Sequence, residues 1–227
     1  MKKVIVVFTL CLSFNLSAQY CLFFDIKVEE PEMVVSAMSD LMNTEWGKSI
    51  QGTKSLFQFE FNGTGEATHS VNFCFQDEAA LQNFMASFGQ SQIVQLLAQT
   101  IGDSADFVSQ SLNTPAWYQN DWSNDQVILF WQVKVSDPAT YASAFIPFSK
   151  KMMKKMNITN SHGLGYPILG KNKEFTHFIW SGADDVATAI NRVKQLYSDP
   201  ETAKFSKQVD GIREIINTFI MIRVADF

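Results

Sequence analysis

Leu129-Phe130-Trp131-Gln132-Val133-Lys134-Val135-Ser136-Asp137-Pro138 repeats Leu22-Phe23-Phe24-Asp25-Ile26-Lys27-Val28-Glu29-Glu30-Pro31 at an offset of 107 residues (129 − 22). A second echo, Glu66-Ala67-Thr68-His69 against Glu174-Phe175-Thr176-His177, runs at 108 (177 − 69), so one residue is inserted between the two marks. A long-period repeat sets the architecture before any local reading does. It divides the chain into two copies, residues 19–122 and 123–227, preceded by residues 1–18.

Working outward from the quoted stretches, each opens on a strand. In the first, Leu22, Phe24, Ile26 and Val28 share the face expected to be covered, and Phe23, Asp25 and Lys27 share the other. Pro31 starts a helix with Val34, Met38, Leu41 and Met42 at helical spacing. Leu56 to Phe61 and His69 to Phe75 alternate strictly about Asn62-Gly63-Thr64-Gly65, which predicts a β-hairpin. Asp77 caps a helix carrying Leu81, Phe84 and Phe88; beyond Gly89, Ile93, Leu96, Leu97 and Ile101 resume the helical period. Residues 113–125, with Pro115, Trp117, Tyr118 and Trp122, are expected to hold a short closing strand and the link. The second copy repeats the plan. A helix from Pro138 carries Tyr141, Phe145, Phe148 and Met152, with Pro147 predicting a kink. Residues 161–167 read as a loop entering a hairpin whose return strand is Phe175 to Trp180. Val186, Ile190, Val193 and Tyr197, then Phe205, Val209 and Ile212, form a split helix, and Thr218 to Val224 closes the copy.

Composition narrows the function classes. With 46% hydrophobic residues and 20 Phe among 227, the chain is a folded globular protein. Lys2 and Lys3 before the apolar run from Val4 to Leu12, with Leu16-Ser17-Ala18 offering a cleavage site, make residues 1–18 a signal peptide and the mature protein secreted or periplasmic. A lipid anchor is not expected, because Cys21 follows Tyr20 where a lipobox needs a small residue. No later stretch approaches the ~20 apolar residues of a membrane span. Without Lys2 and Lys3, 16 basic side chains face 23 acidic ones, a formal charge of −7 that repels nucleic acid. Cys21 and Cys74 are either a disulfide, which export permits, or two buried thiols on neighbouring strands.

The order β-α-β-β-α-β is that of a ferredoxin-like unit: an antiparallel sheet with two helices on one face and the other face in need of a partner. Two such units in one chain, each opened by a sheet strand and with a helix split at Ser198-Asp199-Pro200-Glu201, resemble the dimeric α-β barrel superfamily in a tandem, single-chain form. The first copy departs from this, with Gly89-Gln90-Ser91 at the split. The resemblance implies an α+β fold of two repeats forming a pseudo-dimeric barrel, with ligands in the clefts between sheet and helices. The superfamily includes small monooxygenases acting on aromatic substrates, tandem haem proteins of the chlorite dismutase type and stress-response proteins, so it does not select a function.

His69 and His177 occupy equivalent positions one residue past Thr68 and Thr176, on strand faces expected to point at the helices. With Phe24, Trp131 and Tyr141 near the presumed clefts, they are the candidate ligand-binding residues; the alternative for each histidine is a structural role at a strand start. No pair of histidines has metal-ligand spacing, a haem would have to use His162 or His177, and no Gly-x-Ser-x-Gly turn exists. Met152, Met153 and Met156 suit core filling better than copper. Asp25, Lys27, Gln132 and Lys134 are expected near the boundary between the copies, as an ion pair that fixes docking or as a small polar site. With no nucleophile-base pair and no phosphate loop, the expectation is a binding or interaction module without catalysis, taking a small apolar or aromatic ligand. The alternative is an oxidative enzyme, monooxygenase-like or haem-dependent, acting on a small aromatic compound. Sequence names no cofactor and no oligomeric state.

Overall fold

The computed structural model describes residues 19–102, 105–170 and 174–227, so the expected signal peptide lies outside the described residues. The first repeat runs β1 (Tyr20–Val28), α1 (Pro31–Asn43), α2 (Glu45–Ser49), β2 (Thr53–Glu60), β3 (His69–Phe75), α3 (Glu78–Phe88), α4 (Gln92–Gly102) and β4 (Ala105–Gln119). The second runs β5 (Val127–Val135), α5 (Pro138–Lys155), β6 (His162–Leu169), β7 (His177–Ala183), α6 (Val186–Ser198), α7 (Pro200–Gln208) and β8 (Arg213–Asp226). The eight strands close into one antiparallel barrel in the order β1-β3-β2-β8-β5-β7-β6-β4, so the repeats meet at β2 against β8 and at β4 against β6. This is the α+β fold of two tandem ferredoxin-like repeats in a single-chain, pseudo-dimeric barrel. No helix among the described residues is long and apolar enough to cross a membrane.

Strand alternation sorts the side chains into three cores. Leu22, Ile26, Val71, Phe73 and Phe75 pack under the first repeat's helices with Val34, Met38, Leu41 and Met42, the residues whose spacing marks α1. Leu129, Trp131, Val133 and Ile179 do the same under Tyr141, Phe145 and Phe205 in the second repeat. Phe57, Ile128, Phe130, Phe178, Trp180, Phe219 and Met221 fill part of the barrel interior. The pairing registers carry the inserted residue: β3 and β7 match at an offset of 108 (177 − 69), while β1 and β5 match at 107 (129 − 22).

Three sequence expectations change. The first repeat's closing strand is not short, because β4 is 15 residues long. Pairing with β1 ends at Asn113 and the register against β6 shifts at Pro115/Trp117, so Pro115 has a paired strand on one side only. Residues 162–169 are a strand and not a loop. Gly163 and Gly165 suit it because the Trp180 and Phe178 rings lie over them, where an added Cβ would stand 2.3 and 2.6 Å from ring carbons. On α4, Val94 is buried while Ile93 and Leu96 are exposed; the side chains of Leu97 and Ile101 lie outside those described. Cys21 and Cys74 stand directly opposite each other across β1 and β3 and form a disulfide. Asp25 accepts hydrogen bonds from Ser70 and Ser109 at 2.7 and 2.8 Å, two hydroxyl contacts in place of an ion pair between repeats. Burial raises its pKa, against the pull of those two hydroxyls.

Candidate functional site

Among the described residues, one cavity lies on each side of the second repeat's sheet. The smaller, of about 130 Å³, lies between that sheet and its helices, walled by Leu129, Trp131, Phe145, Phe148, Met152 and Phe205. Met153 and Met156 complete this apolar packing. At equivalent places the first repeat is filled: Phe73 corresponds to Ser181 and Phe75 to Ala183 (offset 108), and Phe73 packs its ring 4.9 Å from Phe84. Small residues on β7 thus leave space that large ones on β3 occupy.

Polar groups converge on this apolar space. His162, first residue of β6, holds its Nε2 3.1 Å from the hydroxyl of buried Ser149, and its ring stacks on Phe145 at 5.7 Å. The residue keeps some exposure, but its Nδ1 is buried and has no hydrogen-bond partner. Burial lowers the pKa to about 4, against the pull of the Trp180 backbone. The imidazole is therefore neutral at neutral pH. Thr202 Oγ1 and Arg213 Nε, also on the cavity wall, are likewise buried and unpaired. The Arg213 guanidinium sits 5.4 Å from the Phe205 ring centroid. Arg192 closes another side and is committed, donating to the Gly182 carbonyl and, at 2.9 Å, to Asn160.

The sequence candidates are spread over the fold. Trp131 lines the cavity. Tyr141 is fully buried, stacked 5.8 Å from Phe145, and burial pushes its pKa up to about 12. Arg213 stands close enough to oppose that shift, yet Tyr141 Oη finds no aligned partner. Phe24 packs between Phe73 and Phe88 in the first repeat's core. His69 and His177 point at the helices, each with Nδ1 on the preceding threonine hydroxyl, at 3.0 and 2.9 Å, and neither lines the two cavities. Sequence reasoning weighed His162 only as a haem ligand. The duplicated frame held a signal that could have found it: its counterpart 108 residues earlier is Lys54 (162 − 108), which donates to the Gly47 carbonyl, so this position departs from the first copy's chemistry.

The larger cavity, about 350 Å³, lies inside the barrel and opens beside Arg223 and Asp226. One wall is aromatic, with Phe130, Phe178 and Trp180; the facing wall carries Asn72, Asn113 and the Cys21–Cys74 disulfide. Among the described residues no cluster of three or more His, Cys, Asp or Glu could hold a metal ion.

Haem does not fit either space. About 130 Å³ is below the roughly 300–1,000 Å³ of pockets for drug-sized ligands. His162 Nε2 is held by Ser149 and Arg192 is already engaged. The barrel cavity presents no histidine, tyrosine or free thiol to an iron.

No family model matches the chain, and neither does any curated protein at the level of sequence. Solved structures match almost end to end. A "putative monooxygenase" from Lactobacillus acidophilus superposes with a TM-score of 0.59 at 11% identity, over 92% of this chain and 95% of that one. An anthrone oxidase-like protein gives 0.60 at 10%, over 93% of both chains. A haem-binding protein from Thermus thermophilus gives 0.54 at 10%, over 92% of both. The fold is that of the dimeric α-β barrel superfamily. The expected module without catalysis is corrected by this company, whose names are those of oxidative and haem-binding proteins. That expectation rested on missing nucleophile and metal motifs, which an oxidation by dioxygen does not require.

Proposed function

We propose that this chain is an oxidative enzyme, monooxygenase-like and working without haem, that acts on a small electron-rich aromatic compound in the helix–sheet cavity of the second repeat. One observation carries the reading: three residues that each hold a buried, unpaired polar atom, His162 (Nδ1), Thr202 (Oγ1) and Arg213 (Nε), stand on the wall of one largely apolar space. Buried polar atoms in native proteins nearly always have partners, and orphans gathered at one cavity are what a bound polar substituent would satisfy. An apolar cavity of about 150 Å³ holds one benzene ring, so about 130 Å³ suits a single-ring compound such as a phenol. The likeness to a monooxygenase and an anthrone oxidase-like protein supports the class of reaction.

In the tautomer with hydrogen on Nε2, His162 donates to Ser149 and offers Nδ1 to the phenolic hydroxyl. Arg213 favours negative charge on the phenolic oxygen, which makes the ring a better electron donor. The apolar walls exclude water and admit dioxygen. In balance, a phenol plus dioxygen gives a para-quinone plus water: the ring carbon gains one oxygen atom, the other leaves as water, and all four electrons come from the substrate. The disulfide supports a periplasmic or secreted location, where such a bond persists.

The test is oxygen uptake by the purified protein with simple phenols, followed by quinone absorbance. Uptake that falls at least tenfold in His162→Ala, with no Soret band in the protein, is expected. Uptake by no phenol, or uptake that tracks a co-purified Soret band, would overturn the reading.

A further inference from the structure

We infer that the barrel interior is a second, separate binding site, for an uncharged planar compound of two fused aromatic rings bearing one acceptor oxygen. The inference does not depend on the reaction proposed above, because the two cavities lie on opposite faces of the second repeat's sheet. Volume sets the size. If about 150 Å³ takes one benzene ring, the ≈ 350 Å³ here takes two fused rings. Shape and chemistry set the class. Phe178 stacks on Phe130 at 5.0 Å and stands 6.0 Å from Trp180, so β5 and β7 offer a continuous aromatic wall to a flat ring system.

The aromatic wall also supplies a donor. Trp180 keeps a buried Nε1–H with no partner. Asn72, nearly buried, holds its side-chain amide 2.8 Å from the oxygen of Ser70, whose hydrogen is donated to Asp25. Trp180 lines this space, and an acceptor oxygen on the ligand would satisfy its N–H. The ionic groups at the mouth are spent on each other. Arg223 donates to Asp226 and, at 3.0 Å, to Ser55, and its guanidinium lies 4.9 Å from the Phe57 ring centroid. Ser55 in turn donates to Asp226 at 2.6 Å. A charged ligand would find no uncommitted counter-ion in this set, which favours a neutral one.

The probe is 2-acetylnaphthalene, with naphthalene and the 2-naphthoate anion as controls, titrated into the intact protein and followed by tryptophan fluorescence and by NMR contacts from probe to side-chain protons. Saturable binding with contacts to Phe130, Phe178 and Trp180 is expected, with naphthoate at least tenfold weaker. Trp180→Phe keeps the ring and removes the N–H; it should weaken 2-acetylnaphthalene about tenfold and leave naphthalene unchanged. His162→Ala should change neither probe. Contacts to Phe145 and Phe205 instead, no saturable binding by the folded wild type, or equal affinity of Trp180→Phe for both neutral probes relative to wild type would overturn the inference. Loss of oxygen uptake in His162→Ala with naphthalene binding intact would separate this site from the proposed active one.

Discussion

The two repeats place their bulk on opposite faces of the same strand. On β3, Val71, Phe73 and Phe75 face the helices, and Ser70, Asn72 and Cys74 face the barrel; at the matching places on β7, Ile179, Ser181 and Ala183 face the helices, and Phe178, Trp180 and Gly182 face the barrel. The first repeat therefore has a filled helix–sheet core and a small, polar barrel wall. The second has a hollowed core and an aromatic barrel wall. Each cavity exists because one copy kept small side chains where the other kept large ones. Duplication supplied the frame, and the divergence of side-chain volume within it made the spaces.

Four measurements would break or sharpen this contrast. Phe73→Ala empties a packed core and should cost about 3–5 kcal/mol in chemical denaturation, whereas Ser181→Ala, beside existing space, should cost under about 0.5 kcal/mol. Equal costs would dissolve the difference between the two cores. The reverse change, Ser181→Phe, should fill the cavity and abolish oxygen uptake.

Next in size, reduction of the Cys21–Cys74 disulfide, which spans 53 residues of the first repeat, should lower stability by about 2–4 kcal/mol. Calorimetry with and without reductant measures it, and the phenol-dependent oxygen uptake of the second repeat should persist at temperatures where the protein stays folded.

His162 gives a pH signature. Its folded pKa, about 4, is below the unfolded value near 6.5, so between those limits the unfolded chain binds the proton and the native one does not. Stability should fall by up to about 3 kcal/mol as the pH drops from 6.5 to 4, and should not depend on this group above 6.5. The carboxyls of Asp25 and Asp125, raised by burial, act in the opposite sense, because the native state takes up their protons first as the pH falls. Comparing wild type with His162→Leu across that range isolates the histidine; identical slopes would remove it from the account.

The smallest effect separates the duplicated histidines. His69 is 5% exposed, and His69→Ala should cost about 1–3 kcal/mol by stranding a buried partner. His177 is only partly buried, and the same change there should cost under about 1 kcal/mol. Thermal unfolding of both variants decides it.

Much of this was legible in the chain itself. The 107-residue echo against the 108-residue echo gave the two copies and the inserted residue, and both reappear in the strand registers. Helical spacing picked out Val34, Met38, Leu41 and Met42, all four of which are buried, because a lone amphipathic helix shows its covered face in its own period. The long β4 was not legible, since Pro115 argues locally against a strand and is accommodated where pairing with β1 has ended and the β6 register shifts. Strand β6 hid behind Gly163 and Gly165, which read as loop residues until rings from the adjacent strand cover them.

The sequence by itself determined the duplication, the β-α-β-β-α-β order and the faces of β1, β3, β5 and β7, because these follow from periods of 2.0 and 3.6 within short segments. Only the tertiary structure decided that Cys21 meets Cys74, that His162 is enclosed and unpaired at Nδ1, and that a cavity lies on each face of the second repeat's strands. A cavity is the volume left when side chains from many elements have been packed together, and a buried atom is unpaired only once every neighbour is in place. Neither is a property of any stretch of chain, so neither could be read before the barrel closed.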